Sequence, residues 1–254
     1  MSSPLDGPLA RMAAMLPPMV EAGDGRRHLV AVWMRTTATI GRALERAEAG
    51  EPDGWEDPVW AAAWVAAAED RRLEAVDGWS ADGSAPGPWQ IVLGAATAGA
   101  TPRAFLVLLA LAAHVAYDLP QALLDVLPDR AFDDDALVAP HVRDHARLDR
   151  VLLTHLEAER LLRPGGGPDP RVDARTLREA RPRVWETARA LSGARRQGPA
   201  VLKARVDELA ALSVRQLDEL RTRRPRRLRP ARPSLGVALP PQGRLAGAGA
   251  SVGT

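Results

Sequence analysis

At 254 residues the chain is long enough to bury one sizeable core, and without cysteine it can form neither a disulfide nor a thiolate metal site. Any metal would have to sit on His, Asp, Glu or water. The formal charge of +2 is unevenly placed: eight Arg and no acid follow Glu219, which leaves 26 basic and 32 acidic side chains in residues 1–219.

A single Lys against 33 Arg, with no Asn, points to the coding bias of a GC-rich bacterial genome. Arginine content is then poor evidence for nucleic-acid binding. The predicted elements are helical throughout. Residues 7–20 form a short helical segment interrupted at Pro17–Pro18, and "HLVAVWMRTTATIGRALERAEAG" (28–50) reads as one amphipathic helix ended by Gly50. "DPVWAAAWVAAAEDRRLEAVDGW" (57–79) opens on Asp-Pro, a cap followed by proline in the first turn. Residues 88–99 form a short helix. "TPRAFLVLLALAAHVAY" (101–117) is apolar almost all round and reads as the central buried helix. A new helix starts at Pro120, a loop holding "FDDDA" runs from Pro128 to Pro140, and a long helix covers 139–162. Residues 172–193 are helical with a kink at Pro182, and the last helix runs from Pro199 to Arg221.

No β-alternation is present. The fold class is therefore all-α, a single-domain bundle of about seven to eight helices over residues 1–222. Residues 223–254, rich in Arg, Pro and Gly without periodicity, are expected to be a disordered tail. Seven Arg in twelve residues could meet an anionic polymer, but no aromatics are interleaved and the body carries no nucleic-acid motif, so no specific nucleic-acid partner is expected. The longest apolar stretch, Phe105–Ala113, is short of the roughly 18–20 residues that cross a bilayer, and the start lacks a signal-peptide pattern. The expectation is a cytoplasmic protein without a membrane span.

Chemistry concentrates on two helices. His114 and Asp118, four apart, share a helical face, the spacing that supplies two metal ligands or a histidine with its carboxylate partner. Asp118 also fits a simpler role, capping the helix that restarts at "LPQALLDV" with Gln121 three residues on. His141, Asp144, His145, Leu148 and Leu152 make a second stripe, with Asp149 one turn beyond His145. A face that is half polar and half apolar suits a site between helices. Trp33, Trp60 and Trp64 read as core aromatics. "FDDDA" resembles the aspartate-rich magnesium motif of class I terpene synthases, but the second motif of those enzymes needs an Asn.

"AAHVAYDLPQALLDV" resembles the bacterial DUF5995 family, whose members carry a motif close to "NAHINYDLPxAL" at the end of an apolar helix. "VWMRTTATIGRALE", "GPWQIVLGAA", "HVRDHARLDRVL" and "ARPRVWETARAL" resemble further segments of that family in order, and the likeness spans about residues 7–220. The resemblance implies family-like polar positions at His114, Tyr117, Asp118, His141 and Asp144. It implies no reaction, because the family has no assigned function. Ala112 and Ala116 stand where the motif usually has Asn, and Asp149 stands at a third Asn position.

Together these features point to an enzyme, metal-dependent or acid/base, acting on a small and largely apolar molecule by hydrolysis or by rearrangement or cyclisation. His114, Asp118, His141 and Asp144 would bind a divalent metal (zinc, iron or manganese) or act as acid and base, with Tyr117 donating a hydrogen bond. The alternative is a non-catalytic helical module for a small ligand or a partner protein. Substrate and oligomeric state have no signature in the sequence.

Overall fold

Helix punctuation in the sequence translates directly into the first elements. The computed structural model describes residues 3–50, 54–161 and 170–222, with side chains outside 156–178. Helix α1 (Asp6–Glu21) runs through Pro17 and Pro18 instead of breaking there. The two prolines withhold N–H groups from the carbonyls of Ala13 and Ala14, but both residues are exposed, so water takes the place of the missing donors. Helix α2 (Arg27–Glu48) follows, and α3 (Pro58–Asp82) begins as expected: Asp57 accepts from the Trp60 N–H at 2.9 Å and Pro58 is the first helical residue. Gly83, at φ 77°, ends α3 in the left-handed conformation that glycine adopts without strain.

Helix α4 (Gly87–Thr97) leads to the apolar centre of the chain. Helix α5 (Arg103–Ala113) does not stop near Asp118 but continues through a π-helical turn (His114–Asp118) into α6 (Leu119–Val126). Pro120 explains the wide turn. Its ring opposes an α-helical approach to the carbonyl four residues back, so the chain shifts to i→i+5 pairing, with the Leu119 N–H donating to the His114 carbonyl. Gln121 Nε2 donates to the Tyr117 carbonyl at 2.8 Å. The expected cap is absent: Asp118 makes no side-chain cap bond, and its carboxylate points elsewhere.

After a 3₁₀ turn (Asp129–Asp133), α7 (Asp135–Leu161) starts four residues before the expected point and carries Pro140 inside it. The aspartates of "FDDDA" are structural: Asp133 pairs with Arg196 at 2.8 Å, Asp134 accepts from the Ala136 N–H, and Asp135 pairs with Arg189. Helices α8 (Pro170–Gln197) and α9 (Pro199–Thr222) complete an all-α bundle; with α5, the π turn and α6 taken as one rod, it has eight helical rods among the described residues. The reading of 223–254 as a tail lies outside the described residues.

Helix α3 packs against α1, α2, α4, α6 and α7. The rod packs its first half on α2, α4 and α9 and its second half on α3 and α8. Leu73, Leu109, Leu123 and Leu191 are each at most 1 % exposed, so the core runs through both central elements. Joined through the π turn, Arg103–Val126 is long and apolar enough to cross a membrane by length and composition, unlike the stretch Phe105–Ala113 taken alone. Its most apolar window is 72 % buried inside the fold, as for the core helix of a globular bundle.

Candidate functional site

Four helices contribute one face each to an apolar cavity. Val32, Thr36 and Ile40 of α2 lie four apart, as do Val65, Glu69 and, on the neighbouring row, Ala68 and Arg72 of α3. Val107, Leu111 and Val115 of the rod and His145, Leu148, Asp149 and Leu152 of α7 close the wall, with Trp33 and Trp64 between them. The two tryptophans are thus core aromatics and cavity wall at once. The cavity has a volume of about 90 Å³.

With His145, His114 is one of two histidines that line this space. Its side chain is 12 % exposed and lines the cavity, while Nδ1 lies 3.2 Å from Asp118 Oδ2. Asp118 is held from behind, since Trp89 Nε1 of α4 donates to both carboxylate oxygens at 3.1 Å. This fixes the imidazole ring, and Nε2 has no hydrogen-bond partner among the described residues. Burial, aided by the nearby Arg72 charge and opposed by Glu69, holds the His114 pKa well below the ordinary histidine value. Burial pushes Asp118 up to about 7, against the Trp89 hydrogen bond and the charges of Arg72 and Arg71. Burial thus favours the uncharged form of both partners, a neutral imidazole beside a carboxyl that ionises near neutrality. An imidazole oriented by a carboxylate, with its other nitrogen free on a side chain that lines an apolar cavity, can take a proton from a bound molecule and return it.

Tyr117 faces another way. It lines a separate recess of about 330 Å³ together with Asp118, Arg71 and Ser84. The His114–Asp118 pair consequently stands in the wall between the cavity and this recess.

His141 and Asp144 do not join them. Neither lines the cavity. His141 stacks on Trp60 with ring centroids 4.2 Å apart, and its Nδ1 is buried without a partner. Asp144 is fully buried and committed to the entry of α3: Oδ1 accepts from the Glu56 N–H at 2.9 Å and Oδ2 from the Asp57 N–H at 2.7 Å. Arg147 adds a third bond at 3.1 Å. Among the described residues no three His, Asp or Glu side chains are gathered as a metal ion would require.

The second His–Asp pair at the cavity is instead His145 and Asp149. Trp185 Nε1 donates to His145 Nδ1 at 3.1 Å, which leaves the ring proton on Nε2, 3.7 Å from Asp149 Oδ1. Burial, reinforced by the charges of Arg181 and His114, pulls His145 down to about 3, so it stays neutral. Asp149 is bonded by Arg181 Nε at 2.7 Å.

Two further polar residues were not anticipated. Glu69 and Arg72 form an ion pair inside the cavity wall, and Thr37 Oγ1 donates to Glu69 Oε1 at 3.0 Å. The Arg72 guanidinium lies over the Trp33 ring, 4.9 Å from its centroid. Their signal was present in the sequence: in α3 both stand within the apolar stripe of Val65, Ala68, Leu73 and Val76.

No curated protein and no solved structure matches the chain. The sequence model of a family of unknown function, DUF5995, matches residues 5–219 and takes in the HxxxDLP element, both His–Asp pairs and all four cavity-forming helices, so the chain belongs to the DUF5995 family.

Proposed function

We propose that the protein is an acid/base enzyme acting on a small, largely apolar molecule at the cavity between α2, α3, the rod and α7. The observation that carries this reading is His114, whose Nδ1 is tied to a Trp89-braced Asp118 while its Nε2 is left free on a cavity-lining side chain. In this role His114 is the general base and then the general acid, and Asp118 fixes its tautomer and offsets the charge that develops on the ring. The apolar wall excludes water and strengthens that electrostatic pairing. Proton abstraction followed by proton return yields a rearrangement; proton abstraction from a bound water yields a hydrolysis.

The test is comparative. A small-molecule extract of cells is incubated with purified wild type and with His114→Gln, and depletion is followed by mass spectrometry. At least one apolar compound should be consumed by wild type and spared by the variant. Compounds that are retained by wild type but never consumed would establish the non-catalytic ligand-binding module instead. Elemental analysis of the same preparation, before and after chelation, tests the divalent-metal expectation (zinc, iron or manganese) separately.

A further inference from the structure

The polar end of the cavity contains two opposite charges that have each other and little else. Glu69 and Arg72 line the cavity, with side chains 3 % and 10 % exposed. Glu69 Oε1 takes the Thr37 hydroxyl and an Arg72 guanidinium N–H, but Glu69 Oε2 is buried without a partner. Arg72 Nε is likewise buried without a partner. One acceptor and one donor thus remain unsatisfied on two residues that line the same apolar cavity. Leaving such groups unpaired in the interior is costly, the more so where charge is involved.

Charge balance narrows what could satisfy them. Within the lining, Glu69 and Arg72 cancel, Asp149 is matched by Arg181, and His145 is neutral with its Nδ1 occupied by Trp185. A carboxylate entering this space would gain Arg72 but face Glu69; an ammonium would gain Glu69 but face Arg72. Either would bring an uncompensated charge into a water-poor cavity. A hydroxyl or a primary amide carries both a donor and an acceptor and no charge.

We infer that the cavity selects small amphiphiles with a neutral head group, a hydroxyl or primary amide, which donates to Glu69 and accepts from Arg72 while its hydrocarbon part lies against Trp33, Trp64 and Leu111. This rests on the reading of the cavity as a ligand site and adds the chemical class that it takes. The head group would then sit on the same cavity wall as His114, whose titration already responds to the charges of both Glu69 and Arg72.

The experiment uses the full chain and four six-carbon probes: 1-hexanol, 1-chlorohexane, hexanoate and hexylammonium, each titrated calorimetrically at pH 7. In wild type 1-hexanol should bind at least about ten-fold more tightly than 1-chlorohexane, because a cavity without a working polar end prefers the chloride. It should also exceed both ions by a similar factor or more. Glu69→Gln leaves Arg72 uncompensated, so hexanoate should gain at least about ten-fold relative to 1-hexanol. The ranking in wild type stands without any variant, should Glu69→Gln fail to fold. Hexanoate or 1-chlorohexane binding wild type as tightly as 1-hexanol would overturn the inference while leaving the ligand site intact. An unchanged ratio in a folded Glu69→Gln would overturn it too. Absence of binding by all four probes would overturn it together with the cavity reading on which it rests.

Discussion

His114 and Asp118 are shifted in opposite directions by the same burial, and this has a consequence that can be measured. In the unfolded chain near pH 5 Asp118 is ionised and His114 is protonated; burial in the folded chain favours a protonated Asp118 and a neutral His114. The two shifts act in opposite directions, so the pair contributes less pH dependence of stability than either group would alone. Removing one member exposes the other. In Asp118→Asn only the depressed histidine remains, whose unfolded form binds the extra proton, so stability should fall relative to wild type as pH drops below 6.5. In His114→Gln only the raised carboxyl remains, whose folded form binds the extra proton, so relative stability should fall as pH rises from about 4 to 7. The limiting slope is about 1.4 kcal/mol per pH unit in each case. Urea midpoints from pH 4.5 to 8 read both slopes, and slopes of the same sign would refute the account. At this scale the sequence was half legible. The four-residue spacing marked His114 with Asp118, but the three-residue spacing marked His141 with Asp144 in the same way, and no spacing rule says which polar side chains a backbone N–H will claim.

Asp144 moves that lesson to the elements. It holds the entry of α3 by two backbone N–H groups and Arg147, so it is a staple between α7 and α3. Asp144→Ala should cost about 3 kcal/mol in urea unfolding, because it orphans buried donors and the Arg147 charge. Conditions in which the variant is still folded should show unchanged 1-hexanol affinity. A close approach elsewhere makes a sharper test. A Cβ on Gly25, between α1 and α2, would lie 2.1 Å from the Ala96 carbonyl oxygen of α4, a backbone atom that cannot swing aside. Gly25→Ala should destabilise by about 3 kcal/mol, read as a lowered urea midpoint with an unchanged slope. Helix existence was legible almost everywhere from the three- and four-residue spacing. What failed were the breaks assigned to Pro17, Pro18 and Pro120. Local rules treat proline as a stop because a carbonyl loses its donor; they cannot see the exposure of Ala13 and Ala14 to solvent, or the wider turn and the Gln121 amide that resolve Pro120.

The whole molecule places its cavity where four helices meet, and packing there is left incomplete beside a well-filled core. Filling that space should separate ligand binding from folding. Val107, a half-buried wall residue of the rod, has room toward the cavity. Val107→Trp should abolish 1-hexanol binding while shifting the melting temperature by no more than a few degrees; retained binding would place the ligand elsewhere. An all-α bundle was readable at this scale from periodicity alone. The meeting of α2, α3, the rod and α7 was not, since helix order says little about which faces enclose space. Glu69 and Arg72 were the available clue, two charges inside an apolar stripe.

The π turn also bears on how relatives of this chain are compared. A five-residue turn holds one residue more than an α-turn would, and each residue turns an α-helix by about 100°. A relative one residue shorter between the positions of Ala113 and Pro120 would keep both helices yet present a different side chain where His114 stands. Such a gap, a single column in an alignment that shortens HxxxDLP by one position, would therefore sort the family into chains that can place an imidazole at the cavity and chains that cannot.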